Sequence, residues 1–335
     1  MTACPLGLAN QCYCVNQVSL FGDSEHSSEL SAKIAVLLVA HGSPESPDEI
    51  QEFLSYVTGG RQLPPSVVEE IRHRYSLIGF SPLACWTRLQ ADQLSRLVRM
   101  PVFVGMRNWK PFIADAVKAI ASQQYDRVIV ICLAPQNSRT SVGLYRRAVA
   151  GDGNLPFAMD FVEQWHDHPL LVKAFAENLR AGLKKASAES EAKPPVIFTA
   201  HSVPQRTIVE GDFYERQSKE TAELVAKEAG LATEDWTFAF QSQGVSGGPW
   251  IGPTVEETIK NLKAKGHTGV FVHPVGFLCD HVEVLYDIDI AFTQFATQQG
   301  VRLWRAESLN GSQVLTAALA EIVSSRLNDK ERDSK

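Results

Sequence analysis

The sequence predicts an α/β protein made of two similar, doubly wound, parallel-sheet halves. Three observations predict it. Short apolar runs alternate with longer amphipathic segments from Ile34 to Arg326, the pattern of parallel strands covered by helices on both faces. The stretch Leu37–Pro44 (LLVAHGSP) is echoed by Ile197–Pro204 (IFTAHSVP): a strand, then Ala-His, then Pro at the third position after the His. Finally, 335 residues exceed one typical domain and can bury a large core. The two halves are expected to face each other across a cleft.

The first half opens with a strand, Ile34–Ala40, that ends in His41-Gly42-Ser43-Pro44. A helix starts near Pro47, where Asp48 and Glu49 favour the positive end of the helix dipole, and Gly59-Gly60 ends it. Pro64-Pro65 starts a second helix through Leu77, and Leu83–Leu97 forms a third. Strand Val102–Gly105, helix Pro111–Ala121, strand Val128–Leu133 and helix Ser141–Val149 follow. In the second half, a strand at Phe157–Phe161 leads to a helix at Pro169–Lys185 and an Ala/Ser/Glu/Lys linker to Pro195. Then come strand Val196–Ala200, helix Tyr214–Ala229 and strand Thr237–Gln241. A Gly-rich loop, Gly244–Gly252, precedes a helix at Thr254–Lys265. Strand Val270–Val272, a helix carrying Glu283, strand Arg302–Trp304 and helix Ser312–Arg326 close the chain. The expected divisions are a mobile extension at 1–32, halves at 33–165 and 166–306, a helix at 307–327 packing back on the first half, and a tail at 328–335.

The net charge of −6 and the lack of a Lys/Arg run argue against a nucleic-acid partner. No apolar stretch reaches transmembrane length, and the first residues lack a basic region followed by an apolar core. A cytoplasmic location follows, in which the six cysteines are expected to be reduced. Cys132, in an apolar strand, reads as core, while Cys4, Cys12 and Cys14 cluster in the extension.

Chemistry concentrates in Gly269–Ile290, GVFVHPVGFLCDHVEVLYDIDI. The strand breaks at Pro274 and Gly276, and a helix with acids at its start follows. Glu283 and Asp287, four apart, share a helix face and repel unless a cation, a proton or open water intervenes. An isolated pair of this kind is usually a solvated face. This one follows a strand directly, where open α/β sheets place their ligand crevices. His201 likewise ends a strand, where a lone His is more often hydrogen-bonded scaffold than ligand. Together, His201 and Glu283 offer an imidazole and a carboxylate, which suits a borderline divalent metal such as ferrous iron.

The segments AHSVP (Ala200–Pro204), GPWIGPTVEETI (Gly248–Ile259) and PVGFLCDHVEVLYDID (Pro274–Asp289) resemble the ferrochelatase family. RHRY (Arg72–Tyr75), SPLA (Ser81–Ala84) and SVGLYRRA (Ser141–Ala148) extend the likeness from Lys33 to about Leu327, closest to the soluble coproporphyrin branch. The resemblance implies ferrous iron insertion into coproporphyrin III or protoporphyrin IX, with the ring held between the halves. It makes His201 and Glu283 the iron-binding, catalytic pair and Asp287 the next acid along; where relatives often continue this ladder, Ala291 stands here. A neutral imidazole at His201 would take a pyrrole proton near neutral pH. The resemblance places Arg74, Tyr75, Ser81 and Tyr145 at the porphyrin, as donors to its propionates. Thr58 stands where relatives often carry Arg. His41 replaces the usual Tyr of soluble relatives on the opposite ring face, and is expected there as an axial ligand of product iron or as a hydrogen-bonded turn residue.

Some relatives hold an iron–sulfur cluster, but the Cys4/Cys12/Cys14 spacing matches no ligand pattern, so no obligatory cofactor is expected. The partners expected are porphyrin and ferrous iron, acting on a monomer. Trp86 and Trp250 read as packing, His73, His166, His168 and His267 as exposed, and His273 as a satisfied core or crevice-edge group. Two other functions compete: a cobalt or nickel chelatase of another tetrapyrrole, and a two-lobed porphyrin carrier. A carrier needs no base–carboxylate pair like His201 with Glu283.

Overall fold

The computed structural model describes residues 32–244 and 248–333. The expected extension up to 31, three residues of the Gly-rich loop and the last two of the tail lie outside them.

The first half contains β1 (Ile34–Ala40), α1 (Ile50–Val57), α2 (Pro65–Ile78), α3 (Leu83–Val98), β2 (Val102–Met106) and α4 (Ile113–Ser122). It continues with β3 (Arg127–Cys132), α5 (Val142–Ala150) and β4 (Ala158–Val162). All strands are parallel, in the order β2-β1-β3-β4. The second half holds α6 (Pro169–Ala188), β5 (Val196–His201), α7 (Gln205–Val209), α8 (Tyr214–Ala229), β6 (Trp236–Gln241) and α9 (Val255–Ala264). Then come β7 (Gly269–Pro274), α10 (Val282–Leu285), α11 (Thr293–Gln298), β8 (Arg302–Arg305) and α12 (Gln313–Asp333). Its sheet, again parallel, has the equivalent order β6-β5-β7-β8. The LLVAHGSP/IFTAHSVP echo is therefore one position used twice: β1 and β5 occupy matching places, β5 ending at His201 and β1 one residue before His41.

The strands read as continuous apolar runs because both sheet faces are covered. β3 is buried throughout, as is β7. One core lies between the sheets, where Val36, Leu38 and Ile129 share a cluster with Phe198 and Phe271 and with Leu179 of α6 and Leu319 of α12. The outer faces carry separate cores, beneath α4 and α5 in the first half and beneath α9 and α11 in the second. α12 lies against α3 and α6, and Thr316 Oγ1 donates to Gln93 Oε1 at 3.0 Å. The connection after β3 also crosses between halves: Gln136 Nε2 donates to Thr221 Oγ1 and to the Val275 carbonyl, both at 3.2 Å.

In each sheet the chain steps from the first strand to one side and then returns to the other. The ends of β1 and β3, and of β5 and β7, thus flank a topological switch point, the site of ligand crevices in open α/β sheets.

Candidate active site

Two elements of the second half meet at the switch point. β5 delivers His201, and close packing fixes its end. A Cβ on Gly276 would lie 2.7 Å from the Ala200 Cβ and 2.8 Å from its Cα, so only glycine lets the chain after β7 pass so near. That chain is tied down at Asp280, whose carboxylate accepts from Ser308 Oγ at 2.7 Å and Asn310 Nδ2 at 2.9 Å.

The expected single helix around Glu283 is a different object. α10 makes one α-helical turn, and Asp287–Phe292 continue as a π-helix in which Ala291 N donates to the Tyr286 carbonyl at 2.9 Å. Such π segments are rare and gather at functional sites. The wider turn separates the acids that follow. Asp287 accepts from Ser242 Oγ, whereas Asp289 is held by Arg305 at 2.6 and 3.0 Å. Glu283 is oriented through its backbone: Gln241 Nε2 donates to its carbonyl at 2.7 Å, and Gln241 Oε1 accepts from Thr199 Oγ1 at 2.7 Å.

The structure brings His201 and Glu283 together, with Nε2 3.5 Å from Oε1. The other carboxylate oxygen lies 3.6 Å from His281 Nε2. On the far side His201 Nδ1 donates to the Ser202 carbonyl, and Trp250 flanks the ring at 6.4 Å. Burial lowers the His201 pKa, but the charge and hydrogen bond of Glu283, the Ser202 carbonyl and Asp287 outweigh it and raise it to about 9. The same partnership holds Glu283 well below the usual carboxylate range despite its burial. The carboxylate contact therefore favours the charged ring, where the sequence led to the expectation of a neutral base. Asp287 moves the other way: burial and the Glu283 charge push it up to about 6, against its Ser242 hydrogen bond. Among the described residues, no three side chains converge as a preformed metal cage. The site offers an imidazole and a carboxylate, with a second carboxylate beside them.

The first half supplies the opposite wall. Glu283 acts electrostatically on His41, Tyr75 and Tyr145, all of the first half. Arg74 lies over the Tyr286 ring at 5.1 Å while pairing with Glu70 at 3.0 Å, so α2 reaches across to the π segment. His41 Nδ1 donates to the Gly42 carbonyl at 3.0 Å, and Nε2 accepts from Asn108 Nδ2 at 2.9 Å. Desolvation lowers its pKa and Arg107 adds to the effect, while the Gly42 carbonyl and Glu283 act the other way. Both its ring nitrogens are engaged, as in a hydrogen-bonded turn residue; ligating iron would take Nε2 from Asn108.

The remaining expected residues scatter. Tyr75 is buried, with its hydroxyl 3.2 Å from Ser43 Oγ. Tyr145 is buried in the core under α5. Ser81 is buried and accepts from Leu83 N at 3.4 Å at the start of α3. Thr58 Oγ1 is engaged by the carbonyls of Arg61 (2.7 Å) and Leu54 (2.9 Å) at the end of α1.

A family model for ferrochelatase matches residues 33–327. The chain belongs to the ferrochelatase family. A ferrochelatase from Acidobacterium capsulatum is 49% identical over 314 residues, covering 89% of this chain and 96% of the relative. A coproporphyrin III ferrochelatase from a Geobacillus species is 32% identical over 306 residues, covering 88% and 98%. Among solved structures, SirB from Bacillus subtilis with Fe3+ shares the fold, with a TM-score of 0.56, 12% identity and coverage of 89% of this chain and 97% of that one.

Another expectation is corrected. His166 is buried, not exposed, because its Nε2 meets Glu220 at 3.0 Å. His273 is core, as expected: it is wedged edge-on between Phe175 and Phe198, beside the Phe175 backbone, with neither ring nitrogen in strict hydrogen-bond geometry. Cys132 is buried and free in β3, as expected. Cys279 is likewise free and buried. The sequence reading missed Gln241, Ser242, Arg107 and Asn108, which all follow or end an apolar strand, and His281 beside Glu283. Position after a strand was the available signal.

Proposed function

We propose that this chain inserts ferrous iron into a porphyrin, with coproporphyrin III as the preferred ring, and that His201 and Glu283 handle the metal. The observation that carries the reading is the 3.5 Å imidazole–carboxylate pair at the switch point, faced by the first half, in a chain of this family.

In the resting pair the proton sits on His201 and the charge on Glu283. A divalent ion arriving from water is drawn to the Glu283 carboxylate and replaces the imidazole proton, which leaves to solvent. As the ion passes to the ring nitrogens, His201 Nε2 is released and takes a pyrrole proton. Asp287, with its pKa raised to about 6, is a better proton acceptor than an ordinary carboxylate, and Ser242 is hydrogen-bonded to it. Two pyrrole protons leave as one divalent ion enters, so the charge balances. Asp289 is occupied by Arg305, which leaves Glu283 and Asp287 as the acids for the metal. The ion is a substrate, and the reading needs no resident cofactor; it carries with it a cytoplasmic monomer.

The coproporphyrin preference is supported by relatives carrying that name, and by the spread of arginines on separate elements of the first half. The test is a steady-state assay with ferrous iron against coproporphyrin III and protoporphyrin IX, with zinc as control metal. Turnover faster on coproporphyrin III is expected. Binding of either ring without insertion of any metal would favour a carrier instead.

A further inference from the structure

Arg107 is the first residue beyond β2. β1 and β2 pair in register through Ala40 and Met106, and Arg107 N donates to the Ala40 carbonyl at 2.9 Å, extending the register by one residue. Arg107 therefore stands beside His41 at the carboxyl edge of the sheet, and paired residues of neighbouring strands project to the same face. Its side chain is half-buried, yet among the described residues its guanidinium has no ion pair and no hydrogen bond. Tyr145 and then Arg147, a second cation with no salt bridge among the described residues, act on it electrostatically.

Neighbouring arginines are treated differently. Arg146 pairs with Glu163, Arg139 with Glu210, Arg74 with Glu70, and Arg305 with Asp289. A partly desolvated guanidinium left without an anion, next to a second cation, costs free energy that is recovered only when an anion arrives. Five N–H donors in a rigid fork match a carboxylate best.

We propose that Arg107 binds a carboxylate of the porphyrin. The inference rests on the proposed function and deepens it. Arg74, on α2, lies near Tyr286 and Asp287, whereas Arg107 lies beside His41 and Tyr145. Arg74 already has the Glu70 carboxylate, so Arg107 is the guanidinium left to read an acid, on a different edge of the ring from the Tyr286 side. A tetracarboxylate porphyrin has acids on more edges than a dicarboxylate one and so reaches it.

The test measures porphyrin binding by fluorescence quenching in wild type, Arg107→Met and Arg107→Lys, with folding checked by thermal melts. The rings are coproporphyrin III, its tetramethyl ester and protoporphyrin IX. Arg107→Met should weaken coproporphyrin III binding about 10- to 100-fold, the loss of one charge-assisted hydrogen-bonded contact, and leave the ester unchanged. Arg107→Lys should retain most of the affinity and carry the test if the Met variant fails to fold. Equal weakening for acid and ester, or undiminished acid binding in Arg107→Met, would overturn the proposal. So would a change confined to the titration of His41, which would make Arg107 an electrostatic neighbour only. A wild type that binds coproporphyrin III but inserts no metal would sink the proposed function, and the binding comparison would still decide Arg107.

Discussion

Replacing Glu283 by Gln keeps the shape of the pair and removes its charge. Two unit charges 3.5 Å apart attract by about 4–5 kcal/mol at an effective dielectric near 20, equivalent to about 3 pH units on the imidazole. About a third of each side chain is open to water, and screening trims that figure toward 2–3. The rise of His201 from 6.5 to about 9 is of this size. Without Glu283, burial becomes the dominant influence and it lowers the pKa, so His201 should titrate at or below 6.5 in Glu283→Gln. The sign is fixed by the folded pKa lying above the unfolded one: the pair's contribution to stability is complete below 6.5 and is lost as pH rises through about 9. The assay is a nitrogen-edited NMR titration of the histidine rings of the metal-free protein from pH 5 to 10, with His201→Ala to assign the signal. A companion readout is divalent-metal affinity, which should weaken about tenfold per pH unit below 9 in wild type, because the ion displaces a proton, and far less in the variant. A wild-type His201 titrating near 6.5, or one still above 8 in Glu283→Gln, would refute the argument.

Three further outcomes are expected. His201→Ala should cut metal insertion by about 10²–10⁴-fold with an unchanged melting curve, since it removes a proton acceptor and metal donor but little packing; near-normal turnover would remove it from the chemistry. Gly276→Ala should destabilise the fold by about 1–3 kcal/mol and depress insertion as well, because the new methyl must displace the end of β5 that carries His201; this is measured by urea unfolding beside the activity assay. His273, buried with a pKa lowered to about 3, is a source of acid lability: the unfolded chain binds a proton below 6.5 that the folded one refuses, so stability falls by up to about 1.4 kcal/mol per pH unit between 6.5 and 3. His273→Leu should flatten that slope in unfolding curves at pH 7, 6 and 5, and an unaltered slope would show that other groups set the acid limit.

The sequence by itself determined the architecture and the centre of the site. Parallel strands buried on both faces must be written as apolar runs, so β1, β3, β5 and β7 announced themselves, and the repeated Ala-His-x-x-Pro marked the two matching strand ends. A histidine and an acidic pair directly after strands pointed to the crevice for the same reason. Local pattern could not reveal what depends on through-space neighbours. The protonation of His201 is set by a carboxylate 82 residues away in the chain, and that of His41 by burial against the opposite balance of partners. An α-helical spacing cannot foretell a π-helix, because the extra residue per turn is held by tertiary contacts such as Asp289 with Arg305 and Asp287 with Ser242. His273 shows the same limit from the other side: only the close approach of Phe175 and Phe198 makes it a buried ring with a lowered pKa. The place of Arg107 just after a strand was legible, but the lack of an acid within its reach is a property of the folded surroundings alone.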